Sequence, residues 1–99
     1  MKDKIFAYLQ SIPDGKVVTY GQIAAYLGDK RLAREAGNAL HKNPDPDKYP
    51  CYKVVSAKGR LSANFAFGGL AGQAQRLKKD GIKVANDKVD LAKYQWKER

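Results

Sequence analysis

The chain is poor in the residues that staple or metallate small domains, with one cysteine and one histidine in 99 residues. A single cysteine cannot close an internal disulfide, and one histidine leaves no cluster for a structural zinc. No apolar run approaches the ~20 residues of a membrane span, and Met1-Lys2-Asp3-Lys4 leads into nothing like a signal-peptide core. A cytoplasmic location is therefore expected, or a nuclear one if the source has a nucleus. Internal repeats, low-complexity tracts and long linkers are missing as well. What remains is one domain, expected to bury roughly two-thirds of its unfolded surface. Hydrophobic residues make up 43% and charged residues 29%, which suits a folded chain and argues against disorder.

Acidic residues are also scarce. Ten Asp+Glu stand against nineteen Lys+Arg, a net charge of +9. An excess of that size on a small domain points to a polyanionic partner, most often nucleic acid. The plainer reading, lysines that merely keep a small protein in solution, is the less favoured one.

Ile5, Leu9 and Ile12 recur at helical spacing and predict a first helix with one buried stripe, stopped by Pro13-Asp14-Gly15. After the apolar Val17-Val18, Thr19 and Gln22 fit a capping box for a second helix from about Tyr20 to Leu27. Gly28-Asp29 breaks it, and Asp29 can cap a third helix from about Arg31 to Lys42, with Leu32, Ala36 and Leu40 inward. Gly37 inside that helix suggests close approach of another backbone, or simple tolerance. Two short helices joined by a tight glycine-containing break form a helix-turn-helix pattern.

Asn43-Pro44-Asp45-Pro46-Asp47 reads as an ordered loop, since neither proline fits a helix interior there. Val54-Val55 predicts a strand, and Ala57-Lys58-Gly59-Arg60 a hairpin turn returning through Leu61, in the manner of a wing. Residues 62–69 form an irregular loop with two phenylalanines. A fourth helix carries Leu70, Ala74 and Leu77 and ends at Gly81. The tail, with Asn86-Asp87 between Val84 and Val89, predicts a small hairpin over the core. The expected fold is mainly α with a small β-hairpin, a winged-helix-like domain.

Cys51 follows a proline-punctuated approach and lies close in sequence to Lys42, Lys48 and Lys53. A free cysteine is usually a small buried hydrophobe, but a positive field favours thiolate. On physical chemistry alone both roles stay open.

Gly15-Lys16-Val17-Val18-Thr19-Tyr20-Gly21-Gln22-Ile23-Ala24, Ala33-Arg34-Glu35-Ala36-Gly37-Asn38-Ala39-Leu40, Asn43-Pro44 and Pro50-Cys51-Tyr52-Lys53-Val54-Val55 occur in this order. Together they resemble the C-terminal domain of O6-alkylguanine-DNA alkyltransferases, over roughly residues 1 to 83. That resemblance implies a partner, double-stranded DNA containing O6-alkylguanine, and a reaction, transfer of the alkyl group to Cys51. It implies that Arg34 fills the stack when the nucleotide rotates out and that Tyr20 presses on the neighbouring phosphate. Ala33, Gly37 and Asn38 would lie on the helix facing the minor groove. Asn43, Pro50 and Lys53 would position the cysteine segment. Tyr52 stands where the family has a proton-relaying histidine, Lys53 where it has arginine, and Asp80 is the nearest candidate for the relay glutamate.

The chemistry requires a soft anionic nucleophile and no metal or organic cofactor, and an extruded base. The short length and the tail Leu91-Ala92-Lys93-Tyr94-Gln95-Trp96-Lys97 are similar to alkyltransferase-like proteins, which flag lesions for other repair proteins. A non-catalytic lesion sensor is thus the alternative. An ordinary winged-helix regulator is disfavoured, because Ala33, Ala36 and Gly37 offer few polar groups to base edges. A monomer is the default expectation.

Overall fold

The computed structural model describes residues 2–63 and 65–97; Asn64, in the loop expected over residues 62–69, lies outside them. Helix α1 spans Lys2–Ser11, β1 Val18–Thr19, α2 Tyr20–Leu27, α3 Ala33–His41, β2 Val54–Val55, α4 Gly69–Lys79 and α5 Leu91–Tyr94. Single 3-10 turns occupy Lys30–Leu32 and Cys51–Lys53. Among the described residues, no helix is long and apolar enough to cross a membrane.

Local chemistry explains the helix ends. Thr19 accepts from the Gln22 amide at 3.1 Å while the Gln22 side chain accepts from the Thr19 amide at 3.0 Å, so two orphan donors are satisfied reciprocally at the start of α2. Gly28 closes the same helix in the left-handed conformation. Asp29 caps a 3-10 turn, rather than α3 itself, through Arg31 N–H. The third helix therefore starts at Ala33, two residues later than its cap predicts, and it ends at His41.

Strands β1 and β2 pair in parallel, Val18 with Val54 and Thr19 with Val55. The hairpin expected across 54–61 does not form. The chain does turn there, with Ser56 N–H donating to Arg60 O, but the returning segment bonds the tail instead. Leu61 N–H donates to Asp87 O and Val89 N–H to Gly59 O, both at 2.9 Å. Two-residue strands have too little pattern to specify a partner, so β2 takes the buried edge offered by the α1–α2 connection. Gly59 permits this crossing, since its φ is +82° and a Cβ would collide with the Val89 carbonyl. The expected tail hairpin forms around Asn86 and Asp87, both at positive φ, and Ala85 bridges Lys88. Beyond it the chain is helical, because Asp90 caps α5.

The two strands lie between two apolar clusters, and the pleat assigns adjacent residues to opposite ones. Val18 and Val54 join Ile5, Leu9, Ile12, Ile23, Ala36 and Leu40 of the helical layer. Val17 and Val55 join Leu61, Leu77, Ile82 and Val89 beneath α4 and the tail. Cys51 is held where the helical layer meets the segment leading into β2.

Candidate nucleic-acid interface and cysteine cleft

The cysteine is positioned by its neighbours' backbone. Pro50 has φ −74° and ψ 70°, and Cys51 N–H donates to Tyr49 O at 2.7 Å. This is an inverse γ-turn, for which the proline ring presets φ. Cys51 then opens a 3-10 turn and is 5% exposed. Asn43, equally buried, fastens the approach: its amide donates to Tyr49 O at 2.7 Å and its carbonyl accepts from Asp45 N–H at 3.0 Å. The end of α3 is thereby tied to the residue two before the cysteine.

A cleft of about 580 Å³ opens onto the sulfur. Tyr20, Ala33, Arg34, Gly37 and Asn38 line it from α2 and α3, with His41 at the end of α3. Cys51 and Val54 line it from the strand layer, and Ser62, Phe65, Ala66 and Gln73 from the opposite loop and α4. Arg34, Asn38 and His41 are exposed. Gly37 faces the Tyr20 ring rather than another backbone; a Cβ there would sit 3.8 Å from Tyr20 Cε1, an ordinary contact.

Burial pushes the Cys51 thiol above its usual pKa, against weaker opposing effects of hydrogen bonds from Asn43 and the backbone and of the Arg76 charge. Tyr20 is also pushed up, by burial and then by Cys51, while a hydrogen bond with Ser62 pulls the other way. Both groups are neutral at pH 7.

The residues expected to activate the sulfur lie elsewhere. Tyr52 and Asp80 line a separate cleft of about 370 Å³. Burial and the Asp80 carboxylate push the Tyr52 phenol further up, so it is no base near neutrality. Asp80 accepts from Gly15 N–H at 2.9 Å and lies 3.4 Å from Lys53 Nζ. Lys53, 2% exposed, sends its ammonium to Pro13 O at 3.2 Å and Ile12 O at 3.5 Å, with Asp14 at 3.8 Å. It holds the carbonyls after α1, and its charge is satisfied there rather than at the sulfur. A buried ammonium needs such partners, because an unpaired one costs several kcal/mol.

A family model described as "6-O-methylguanine DNA methyltransferase, DNA binding domain" matches residues 1–82. The chain belongs to this family. It is 39% identical to a DNA base-flipping protein of Vibrio parahaemolyticus, over 94% of this chain and 92% of that protein. It is 38% identical to a bifunctional methyltransferase/endonuclease of Picrophilus torridus over 93% of its own length, but spans only 30% of that protein. Among solved structures, Schizosaccharomyces pombe Atl1 with damaged DNA containing O6-carboxymethylguanine superimposes with a TM-score of 0.85 at 32% identity, over 98% of this chain and 94% of that one. Mycobacterium tuberculosis OGT in complex with DNA gives 0.73 at 29% identity, over 81% and 48%.

One site residue of this methyltransferase-family domain escaped the sequence reading. Gln73, 1% exposed, accepts from Ser62 N–H at 2.8 Å and donates to Tyr52 O and Val54 O, each at 3.0 Å. It joins the cysteine segment to the opposite loop. Its signal is a polar residue on the apolar stripe of α4, between Leu70 and Leu77. Gly72, one residue earlier, packs so closely on the Phe67 carbonyl that a Cβ would collide.

Proposed function

We propose that the domain binds duplex DNA along α3, turns an O6-alkylguanine into the Cys51 cleft, and accepts the alkyl group on that sulfur. The observation that carries this reading is the shared lining of one cleft by Tyr20, Arg34 and the single cysteine. Arg34 is exposed at the mouth, where a guanidinium can occupy the gap left by an extruded base and stack on its neighbours. Extrusion costs a few kcal/mol, and the apolar wall of Val54 and Phe65 offsets part of it by stacking on the purine. The thiol first loses its proton to water. The thiolate then attacks the alkyl carbon, a C–S bond forms as the C–O6 bond breaks, and the guanine takes up a proton. The thioether is stable, so each molecule acts once.

A second reading is favoured by a specific observation. Tyr52 and Asp80 are turned away into another cleft, and burial keeps the thiol protonated. In that case the domain recognises and exposes the lesion while Cys51 only lines the pocket. Relatives named as a base-flipping protein and an alkyltransferase-like protein, each matched over 92% of its length, support it.

Incubation with an O6-methylguanine duplex followed by intact mass measurement separates the two. Transfer adds one methyl group, mapped to Cys51 and lost in Cys51→Ser. Tight lesion binding by a protein of unchanged mass leaves the sensor.

A further inference from the structure

We propose that Arg76 is a latch that sets the width of the Cys51 cleft by joining the two loops that flank it, an inference that rests on the lesion-binding reading of that cleft. Its Nη1 is 3.0 Å from Asp47 Oδ1, in the loop that Asn43 ties to the cysteine. Its guanidinium carbon lies 5.9 Å from the centroid of the Phe67 ring. Phe67 in turn meets Phe65 edge-on, with centroids 5.7 Å apart, and Phe65 lines the cleft. One side chain from α4 thus spans from the cysteine approach to the wall on which an everted base would stack.

The first contact is a single N–H···O hydrogen bond to a carboxylate oxygen, and the second sets a flat guanidinium near a ring, a geometry to which arginine is better suited than lysine. Each is individually weak: the Asp47 side chain is 87% exposed, and exposed pairs contribute little to folding. Arg76 is itself only partly buried. Loss of the latch should therefore leave the fold intact and loosen the cleft. Its charge also acts on the Cys51 sulfur in favour of thiolate.

The test compares Arg76→Gln and Arg76→Lys with Lys78→Gln, an exposed residue of the same helix that loses the same charge. Affinities for an O6-methylguanine duplex and its undamaged counterpart are measured by fluorescence anisotropy at one salt concentration. Arg76→Gln should reduce the lesion-to-undamaged ratio about five- to tenfold, since two weak contacts are lost together. Arg76→Lys should keep the undamaged affinity but recover only part of the ratio, and Lys78→Gln should leave the ratio unchanged. Where the wild type prefers the lesion duplex, equal ratios for Arg76→Gln and Lys78→Gln overturn the latch.

Hydrogen exchange without DNA distinguishes this failure from failure of the lesion reading. Arg76→Gln should speed exchange at the Tyr49 and Gly69 amides, which bond within the two loops, and Lys78→Gln should not. If the wild type shows no lesion preference while this acceleration is seen, the lesion reading fails and the latch stands. Exchange unchanged in Arg76→Gln removes the latch whatever the DNA result.

Discussion

At Cys51 two demands on one atom conflict. Recognition of a purine asks for an apolar, enclosed wall, whereas nucleophilic attack asks for a solvated or charge-paired anion. Burial prevails over the Asn43 hydrogen bond and the Arg76 charge, so the thiol is the neutral-pH form. The native state then holds this proton more tightly than the unfolded chain does. Its contribution to stability is present below the ordinary thiol pKa and is lost as pH rises through the raised value. Labelling by iodoacetamide, followed as mass gain with time, should lag behind an unstructured cysteine peptide at every pH. The rate should still be climbing above about pH 8.5, where a free thiol is half ionised. A plateau reached below that pH would mean that the site activates its sulfur. The local part of this environment was legible, because Asn43, Pro50 and Cys51 act through bonds a few residues long. The partners of Lys53 and Asp80 were not legible because they are distant: Pro13 lies 40 residues from Lys53, and Gly15 lies 65 from Asp80.

Among the elements, most helix ends were readable, the start of α3 excepted, and strand pairing was not. The Thr19–Gln22 box, the Gly28 stop and the end of α4 are each written within four residues. The parallel pairing of β1 with β2 has no such local signature, since two buried valine-rich pairs specify burial and not a partner. Helix α3 shows how an element can be tuned for an absent surface. Gly37 sits in its interior at a helix-propensity cost of ~1 kcal/mol relative to alanine, and the protein has room for a methyl group there beside Tyr20. Packing within the domain therefore does not require glycine. Gly37→Ala should raise the melting temperature by about 4–8 °C if the full propensity difference is recovered. If α3 lies against DNA as proposed, the same change should weaken duplex binding, measured by anisotropy. A stabilised variant with unaltered DNA affinity would show that no partner approaches α3 at that position.

The whole molecule divides affinity from selectivity. The chain carries a net charge of +9. Arg31, Lys53 and Arg76 are committed to ion pairs, whereas Lys30, Arg34 and Lys42 are exposed along and beside α3. Phosphate contacts from such a surface release counterions, so affinity should fall with a log–log slope of about −4 to −5 for roughly five contacts. Between 50 and 200 mM salt that is a loss of a few hundredfold. The cleft, by contrast, is lined mainly by small, apolar and neutral polar groups, and O6-methylguanine carries no charge of its own beyond its phosphate. Lesion and undamaged duplexes should therefore show the same slope, and their affinity ratio should survive the titration. A ratio that collapsed as salt rose would place discrimination in the phosphate contacts and not in the cleft. A slope near zero would remove the basic surface from binding altogether.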